Sequence, residues 1–459
     1  SYYPSFIVKG EVIGLGSLEV ERYQKGNEWH LIGAPVKSAK IASYSNDLAT
    51  GSGIGNGSTS VGLSTYNTTS GLWQYYATSN INTTAAGFTS GKGYRTRVAS
   101  SNGLTQYNGR YNSDDISFTL DKNGDKWNLV GNPYTAKISS NNNTDTNNNF
   151  LLENTNSLDD NYVAMYFYDS DANFGSGGYV AVNNATEPHY VSVGQGFFIK
   201  SKSVSGTSVL FSKKMMSNQT EDTFYKTTQS TDPKITIIIS DGTKFRSTDL
   251  EYIDGTTTGL DIGFDAGLFD GDSENTVDVD IYSRLVNGQN NRDFMLQCLP
   301  QDYENIVVPI GIKSPQNVEV TLILSATNLP TGLKVFLEDT TTNTFTRLDQ
   351  PGDEAKFTQT ISGTNRFRIH TTSQSLSIEN QRPTNVSVFM SDDRILNIKG
   401  LLENAVIKLY DMLGKEVLDA NINPNSGNAF PISDSIKSGI YIVNIKSEQN
   451  SITKKIFIE

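Results

Sequence analysis

Acidic side chains at alternating positions are the groups in this sequence best suited to binding chemistry. Carboxylate and amide oxygens with this spacing can converge on a hard cation such as Ca²⁺. Two segments have it, and their candidate ligands are Asp270, Asp272 and Asn275 in one and Asp121, Asn123 and Asp125 in the other. The second segment lacks the Gly and Glu that complete an EF-hand. Solvated turn acids are the alternative, because Asp is common in turns. Calcium is the one cofactor that the pattern suggests.

Nucleophilic catalysis has little support in the sequence. The histidines are His30, His189 and His370, and Cys298 is the single cysteine. Cys298 lies in an apolar, strand-like run, where burial would leave an inert thiol. Motifs such as GxSxG and HExxH do not occur. Paired carboxylates are common but sit among turn residues, so they argue only weakly for a glycosidase. We therefore expect no enzymatic activity within this chain, whereas a catalytic domain preceding residue 1 stays compatible with it.

A cluster of aromatic residues offers a second kind of binding chemistry. Trp73, Tyr75 and Tyr76 lie beside polar loops, where exposed rings could stack on a ligand such as a sugar. In a strand, however, alternate side chains must face the core. Packing inside the protein is therefore the alternative for this cluster.

Composition and charge limit the class of protein. The 459 residues include 22 Tyr, 21 Phe and 39 Gly, and the net charge is −12. Abundant aromatic residues argue against disorder and favour many short strands. The negative charge disfavours nucleic acid as a partner. One cysteine excludes an intramolecular disulfide, and no apolar run has the roughly 20 residues of a membrane span. The start, SYYPSFIVKG, shows no signal peptide, so we expect a mature protein or a fragment of one.

The first half of the chain contains an internal repeat. The segment WHLIGAPV at 29–36 returns as WNLVGNPY at 127–134, and GKGYRTR at 91–97 returns as GQGFFIK at 194–200. Because order and spacing are kept, we expect two copies of one supersecondary unit. They are predicted at about 27–120 and 125–215, within a β-rich region that spans residues 1–225.

The rest of the chain is also strand-like. Residues 230–375 contain short alternating runs separated by turn residues, which favours a β-sandwich domain. A polar linker is predicted at 376–388, followed by a compact, strand-rich block at 389–459. The predicted fold class is all-β, with tandem β-sandwich-like domains and a small domain at the end.

The last block resembles a known family. Its motifs are AVIKLYDMLGKEV at 405–417, SGIYIV at 438–443 and TKKI at 453–456, in this order at the end of the sequence. Together they resemble the type A C-terminal sorting domain of cargo proteins of the type IX secretion system of Bacteroidetes.

The resemblance implies a small Ig-like β-sandwich that serves as an export signal, and a protein that is secreted or displayed on the cell surface. The implied partners are the outer-membrane translocon of the type IX system and its β-barrel shuttle protein. The residues implied to contact this machinery are Gly414, Lys415, Gly439, Tyr441, Lys454, Lys455 and Ile456.

The repeats are similar to noncatalytic β-rich regions that precede such sorting domains in large surface proteins. The leading hypothesis is a noncatalytic, adhesin-like cargo, of which this chain is the C-terminal part, with surface glycans or host and environmental surfaces as partners. The alternative is a carbohydrate-binding accessory region of a larger secreted hydrolase. An enzyme within the chain is a third, weaker hypothesis.

Overall fold

The chain forms two compact units, Ser1–Leu376 and Ser377–Glu459. It is all-β, and no helical segment of the described residues exceeds five residues. The computed structural model describes residues 6–8, 16–44, 47–51, 54–55, 59–81, 86–100, 102–204, 206–218, 231–272, 274, 278–288, 291–304, 306–315, 317–350, 352–357, 363–373, 387–391, 394–399, 404–411, 415–423, 429–433, 435–447 and 451–458.

The first repeat contributes six strands and two short helical segments. The strands are β1 (Leu18–Lys25), β2 (His30–Gly33), β3 (Ser60–Asn67), β4 (Leu72–Ala77), β5 (Gly93–Thr96) and β6 (Asn102–Gly109). A four-stranded sheet has the order β2-β5-β3-β4, and β1 pairs with β6 beside it. The helical segments are a 3-10 turn at Ile41–Ser43 and α1 at Thr78–Ile81.

The second repeat contributes nine strands. They are β7 (Ile116–Thr119), β8 (Trp127–Gly131), β9 (Lys137–Ser139), β10 (Met165–Asp169), β11 (Gly178–Val182), β12 (Tyr190–Val191), β13 (Gly196–Lys200), β14 (Ser208–Phe211) and β15 (Met216–Ser217). Its sheets have the orders β8-β13-β10-β11, β7-β14 and β12-β9-β15. The helical segments are α2 (Phe150–Asn154), α3 (Ala172–Gly175) and 3-10 turns at Thr155–Ser157, Asp160–Tyr162 and Lys213–Met215.

The two sequence copies fold alike. The order β2-β5-β3-β4 corresponds strand by strand to β8-β13-β10-β11, and the pair β1-β6 corresponds to β7-β14. Each copy therefore begins one strand earlier than the predicted limits of 27 and 125. The WxL[IV]G motif did not reveal these outer strands, because they carry no shared residues.

The copies meet at a seam that obeys an approximate two-fold symmetry. Gly33 N–H donates to Gly194 O at 3.1 Å, and the equivalent Gly131 N–H donates to Gly91 O at 3.0 Å. A Cβ on Gly131 would lie 2.5 Å from Gly33 Cα, and one on Gly33 would lie 2.7 Å from Gly131 Cα. The backbones approach so closely that only glycine fits, which explains why both copies of the motif end in Gly.

The second block of the first unit is dominated by one extended sheet. Its strands are β16 (Lys234–Ser240), β17 (Phe245–Tyr252), β18 (Ala266–Gly267), β19 (Asp280–Ser283), β20 (Phe294–Leu299), β21 (Val307–Lys313), β22 (Val320–Thr327), β23 (Lys334–Asp339), β24 (Thr344–Arg347), β25 (Ala355–Phe357) and β26 (Gly363–Thr372). The order is β24-β23-β26-β21-β19-β20-β17-β16-β22-β25, with β18 paired to β20.

This sheet curves around a single core. Leu337 on β23 and Leu322 on β22 come from opposite ends of the strand order, yet both belong to one buried cluster with Ile237 and Ile310. We predicted a sandwich of separate sheets for 230–375, whereas the described strands form one hydrogen-bonded path. Curvature brings the apolar face of the sheet against itself and shields it from water.

The predicted boundary near residues 225–230 does not divide the packed core. Trp127 and Phe198 of the second repeat lie in one buried cluster with Ala266, Leu296 and Cys298 of the extended sheet. Leu31 and Trp73 of the first repeat belong to the same cluster. Residues 1–376 are therefore one unit, because the aromatic faces of the repeats are covered by the block that follows them.

The second unit has seven described strands in two sheets. They are β27 (Ser387–Ser391), β28 (Ile395–Lys399), β29 (Ala405–Asp411), β30 (Glu416–Ile422), β31 (Ala429–Pro431), β32 (Gly439–Ser447) and β33 (Ser451–Ile458). The orders are β27-β28-β31 and β30-β29-β32-β33. Both sheets contribute to one buried cluster, with Leu396 and Ile398 from the first and Ile407 and Val443 from the second. Most of the predicted linker lies outside the described residues.

Candidate functional site

Three acidic residues, Asp270, Asp272 and Glu274, form what we call the acidic strap, which follows β18 and lies against both repeats. Asp270 contacts the second repeat: its Oδ1 accepts hydrogen bonds from Trp127 Nε1 at 2.7 Å and Lys200 Nζ at 2.8 Å. Trp127 and Lys200 are cross-strand partners on β8 and β13. The register of the sheet thus places an indole N–H and an ammonium group side by side, where one carboxylate can accept from both.

Asp272 joins the two repeats to each other. Its Oδ1 accepts from Trp73 Nε1 of the first repeat at 2.6 Å, and its Oδ2 accepts from the Tyr179 hydroxyl of the second at 2.7 Å. The residue is 4% exposed and adopts a positive φ of 52°. Burial, with Asp272 adding to it, raises the pKa of Tyr179 well above its usual value, so the phenol stays a donor. Hydrogen bonds to a buried carboxylate are among the strong ones.

Arg95 completes the contact with the first repeat. Its guanidinium lies between two indole rings, 4.2 Å from the centroid of Trp29 and 3.8 Å from that of Trp73. It donates to Glu274 Oε2 at 2.7 Å and to the Tyr75 hydroxyl. Stacking and ion pairing together fix the plane of the guanidinium. The second repeat has Phe198 at this position, so a cation where the equivalent residue is aromatic was a sequence signal for an acidic partner.

Among the described residues, the candidate calcium ligands do not form a metal site. Asp270 and Asp272 accept hydrogen bonds from indole, ammonium and phenol groups, and Asn275 lies outside the described residues. Within the described ranges, no three His, Cys, Asp or Glu side chains are grouped as a metal site would require. The strands of the two repeats therefore supply the donors that these carboxylates accept from in the described residues.

The second candidate loop is likewise engaged by protein groups. Asp121 Oδ1 accepts from Asn123 Nδ2 at 2.8 Å, and Asp125 accepts from Trp127 N–H at 2.9 Å and from the Tyr66 hydroxyl. The carboxylates of Asp121 and Asp125 therefore serve separate partners. This is the local hydrogen bonding expected of turn acids.

The predicted stacking cluster is mostly covered. Trp73 is 7% exposed, with Arg95 over its ring and Tyr66 packed against its edge at a centroid distance of 5.4 Å. Tyr75 and Tyr76 are half-buried, and the Tyr75 hydroxyl donates to Glu274 at 2.7 Å. Trp73 is thus a core residue and does not present a free face for a sugar. Strand alternation, which left both outcomes open, places it inside.

The groups that could attack a substrate are the Cys298 thiol and the histidine rings, and each is either buried or within hydrogen-bond distance of another protein group. Burial, then the nearby Asp265 carboxylate, raises the pKa of the Cys298 thiol well above its usual value. Burial lowers the pKa of His189 to about 4. His370 Nε2 lies 2.7 Å from Glu338 Oε2, and His30 Nε2 lies 3.0 Å from Lys25 O.

Asp265 is a buried carboxylate that the sequence analysis did not single out for a site. It is 0% exposed, and it accepts from the backbone N–H of Cys298 at 2.7 Å and of Asp261 at 2.8 Å. Burial raises its pKa to about 7 from an ordinary value of 3.8. The folded chain therefore keeps this proton to near neutral pH, whereas the unfolded chain releases it near pH 4.

This difference makes a prediction about pH. The folded state binds the extra proton between about pH 4 and pH 7, so the contribution of Asp265 to stability falls as pH rises through that window and is constant above it. We expect the unfolding free energy of the native chain, minus that of Asp265→Asn, to fall by on the order of 4 kcal/mol from pH 4 to pH 7. Urea unfolding of both proteins measures it, and the subtraction cancels every other titrating group. A flat difference would contradict the buried proton.

The second unit places the predicted sorting residues in two settings. Tyr441 and Ile456 are cross-strand partners, both 8% exposed, and the Tyr441 hydroxyl donates to Lys437 O at 2.8 Å. Lys454 and Lys455 on β33 are exposed, as is Lys415. Gly439 opens β32 opposite Ile458, and Gly414 lies outside the described residues. Tyr441 and Ile456 thus belong to the core, whereas the lysines are available to a partner.

An exposed apolar pair was missed by the sequence analysis. Phe457 on β33 is 56% exposed, and its cross-strand partner Ile440 on β32 is 38% exposed. They lie on the face of the sheet opposite the buried Tyr441 and Ile456, because side chains alternate along a strand. Two adjacent exposed apolar residues on an outer strand pair are suited to contact with another protein.

These features define a large all-β unit followed by a small two-sheet domain. Residues 392–459 match the secretion system C-terminal sorting domain, which confirms the resemblance. The chain is a cargo of the type IX secretion system, which implies a Bacteroidetes source and export across the outer membrane to the cell surface or the medium. In the part of the chain that the structure describes, no helix is long and apolar enough to cross a membrane.

The remainder of the chain has its own family. Residues 4–370, most of the sequence, match the family described as a domain of unknown function (DUF8693), and the chain belongs to this family. Its match spans both repeats and the extended sheet, in agreement with their shared core. No curated protein and no solved structure matches the chain significantly.

Proposed function

We propose that this chain is a noncatalytic, adhesin-like protein, displayed at the cell surface by its sorting domain and forming the C-terminal part of a larger adhesin. The observation that carries the proposal is the acidic strap. Its three carboxylates are the acids best placed for chemistry. They instead accept hydrogen bonds from protein groups, and so hold the side chains of Trp127, Trp73, Tyr179 and Arg95 in place. A catalytic acid needs access to substrate and a tuned pKa, whereas both oxygens of Asp272 accept hydrogen bonds from protein groups.

The partners of the proposed protein follow from its two units. The sorting domain would be received by the β-barrel shuttle protein of the type IX translocon, through exposed Lys454, Lys455 and Phe457. The first unit would contact glycans or other surfaces outside the cell. The carbohydrate-binding accessory role has less support, since Trp73 is covered by Arg95.

Two measurements on the full chain test the proposal. Cells that display the protein are expected to adhere to host or abiotic surfaces at least severalfold better than cells lacking it. The purified protein is expected to release no product from a panel of polysaccharide and peptide substrates. Asp270→Asn and Asp272→Asn serve as controls, since any activity that they abolish without loss of folding would establish an enzyme. Equal adhesion by both strains would contradict the adhesin role.

A further inference from the structure

The two repeats carry equivalent pairs of an indole and a cation, and within the described residues one pair has an acidic partner and the other has none. Trp127 and Lys200 are cross-strand neighbours in the second repeat, and both donate to Asp270. The equivalent residues of the first repeat are Trp29 and Arg97. They occupy the next register position beyond the pairing of His30 with Thr96, and the Arg97 guanidinium lies 5.9 Å from the centroid of Trp29.

The described part of the chain supplies no acidic partner to the first-repeat pair. Arg97 Nε is buried and has no hydrogen-bond partner, and no carboxylate within the described ranges pairs with this guanidinium. The Trp29 indole N–H likewise donates to none of the described groups. Both residues are only half-buried, so an external group can reach them. Arg97 Nε has lost its hydration without gaining a partner, and the remaining N–H groups of the half-buried guanidinium can donate to a negatively charged ligand.

The neighbouring Arg95 sets the limits of this site. Its guanidinium lies over one face of Trp29 and is already paired with Glu274 at 2.7 Å. The edge of the indole and Arg97 are what remain for a ligand. An indole edge presents an N–H donor, which suits an oxygen acceptor better than the face of a sugar ring.

We propose that Trp29 and Arg97 bind an aspartate or glutamate carboxylate from an acidic segment of a partner polypeptide. The chain itself contains the model for this contact, because Asp270 occupies the equivalent position on Trp127 and Lys200. An acidic peptide is favoured over an acidic polysaccharide, since the carboxylate held in the second repeat belongs to a peptide loop. The site rests on the proposed function and gives it a ligand class.

The probe is a labelled, capped peptide with the sequence LFDGDSE of residues 268–274, titrated against the full chain and followed by fluorescence anisotropy. Saturable binding is expected, and Arg97→Gln or Trp29→Phe should weaken it about tenfold or more, as expected on loss of a charge-assisted hydrogen bond. Arg110→Gln, an exposed arginine of the same repeat, is the matched control and should bind as the native chain does. A peptide with Asn at both Asp positions and Gln for Glu should not bind.

Three outcomes overturn the site. They are no saturable binding of the peptide, equal binding by Arg97→Gln, and binding of oligogalacturonate in place of the peptide. Urea unfolding of each variant ensures that a loss of binding is not a loss of folding. If the protein is exported and supports adhesion but does not bind the peptide, this site is refuted and the proposed function is not.

Discussion

A chain that ends at residue 383 is expected to remain inside the cell envelope, with loss of nearly all protein from the surface and the medium. The sorting domain at 392–459 is the export signal, and the first unit, Ser1–Leu376, is compact without it. Retention would therefore reflect a missing address and not a misfolded cargo. Immunoblots of periplasmic, surface and medium fractions measure the effect. Normal export of the truncated chain would refute the role assigned to the domain.

A finer variant separates recognition from folding. Lys454 and Lys455 are exposed on β33, so Lys454→Gln with Lys455→Gln should leave the domain folded and still reduce export severalfold. Lys446→Gln on the adjacent strand removes one exposed charge from the same sheet and is the matched control. Equal export of both variants would assign recognition to other residues, with the exposed pair Phe457 and Ile440 as the next candidates.

Gly131→Ala is expected to lower the unfolding free energy of the first unit by about 3 kcal/mol, as overpacking against rigid neighbours does. The added Cβ would lie 2.5 Å from Gly33 Cα and 3.0 Å from Gly33 N, and backbone atoms cannot move aside as a flexible side chain can. The repeats would have to separate at their seam. Urea unfolding of the full chain measures the change.

Two controls bracket this prediction. Gly16→Ala meets no atom within 4 Å and should change stability by a few tenths of a kcal/mol at most. Gly33→Ala places a Cβ in the same contact from the other repeat. The loss of unfolding free energy in the double variant should therefore be smaller than the sum of the losses in the two single variants. Unchanged stability of Gly131→Ala would mean that the seam opens freely, contrary to the packing described.

The sequence predicted the strands and the repeats better than it predicted the hydrogen-bond partners of the site residues. The motif around Trp29 and Trp127 identified equivalent strands because its residues are set by local structure. Each strand ends at a glycine whose backbone lies close to the backbone of the other repeat. The partners of Asp270 and Asp272 could not be predicted in the same way. Trp73 and Asp272 are 199 residues apart, and nothing local in either segment encodes their contact.

The same reasoning applies to the predicted boundary at 225–230 and to the candidate calcium ligands. The strand-like runs and turns of residues 230–375 predicted a separate domain, but the aromatic face of Phe198 and Trp127 is too apolar to stay in water. The following block covers it, and the acids of that block accept hydrogen bonds from the indole N–H groups of Trp127 and Trp73. An acidic turn that binds a cation and one that accepts from a tryptophan N–H have the same sequence pattern. The neighbouring strands decide which of the two forms.

The glycine seam also bears on how the first unit arose. Contacts that map onto themselves under a two-fold rotation are the isologous kind that joins identical subunits. Gene duplication and fusion of a single-repeat homodimer would give this arrangement directly. The acidic strap then serves as the asymmetric addition, since it gives the pair Trp127 and Lys200 a carboxylate and gives the equivalent pair Trp29 and Arg97 none among the described residues. Arg95, which stands where the second repeat has Phe198, pairs with Glu274 of this addition, whereas both seam positions are glycine because neither copy has room for a Cβ.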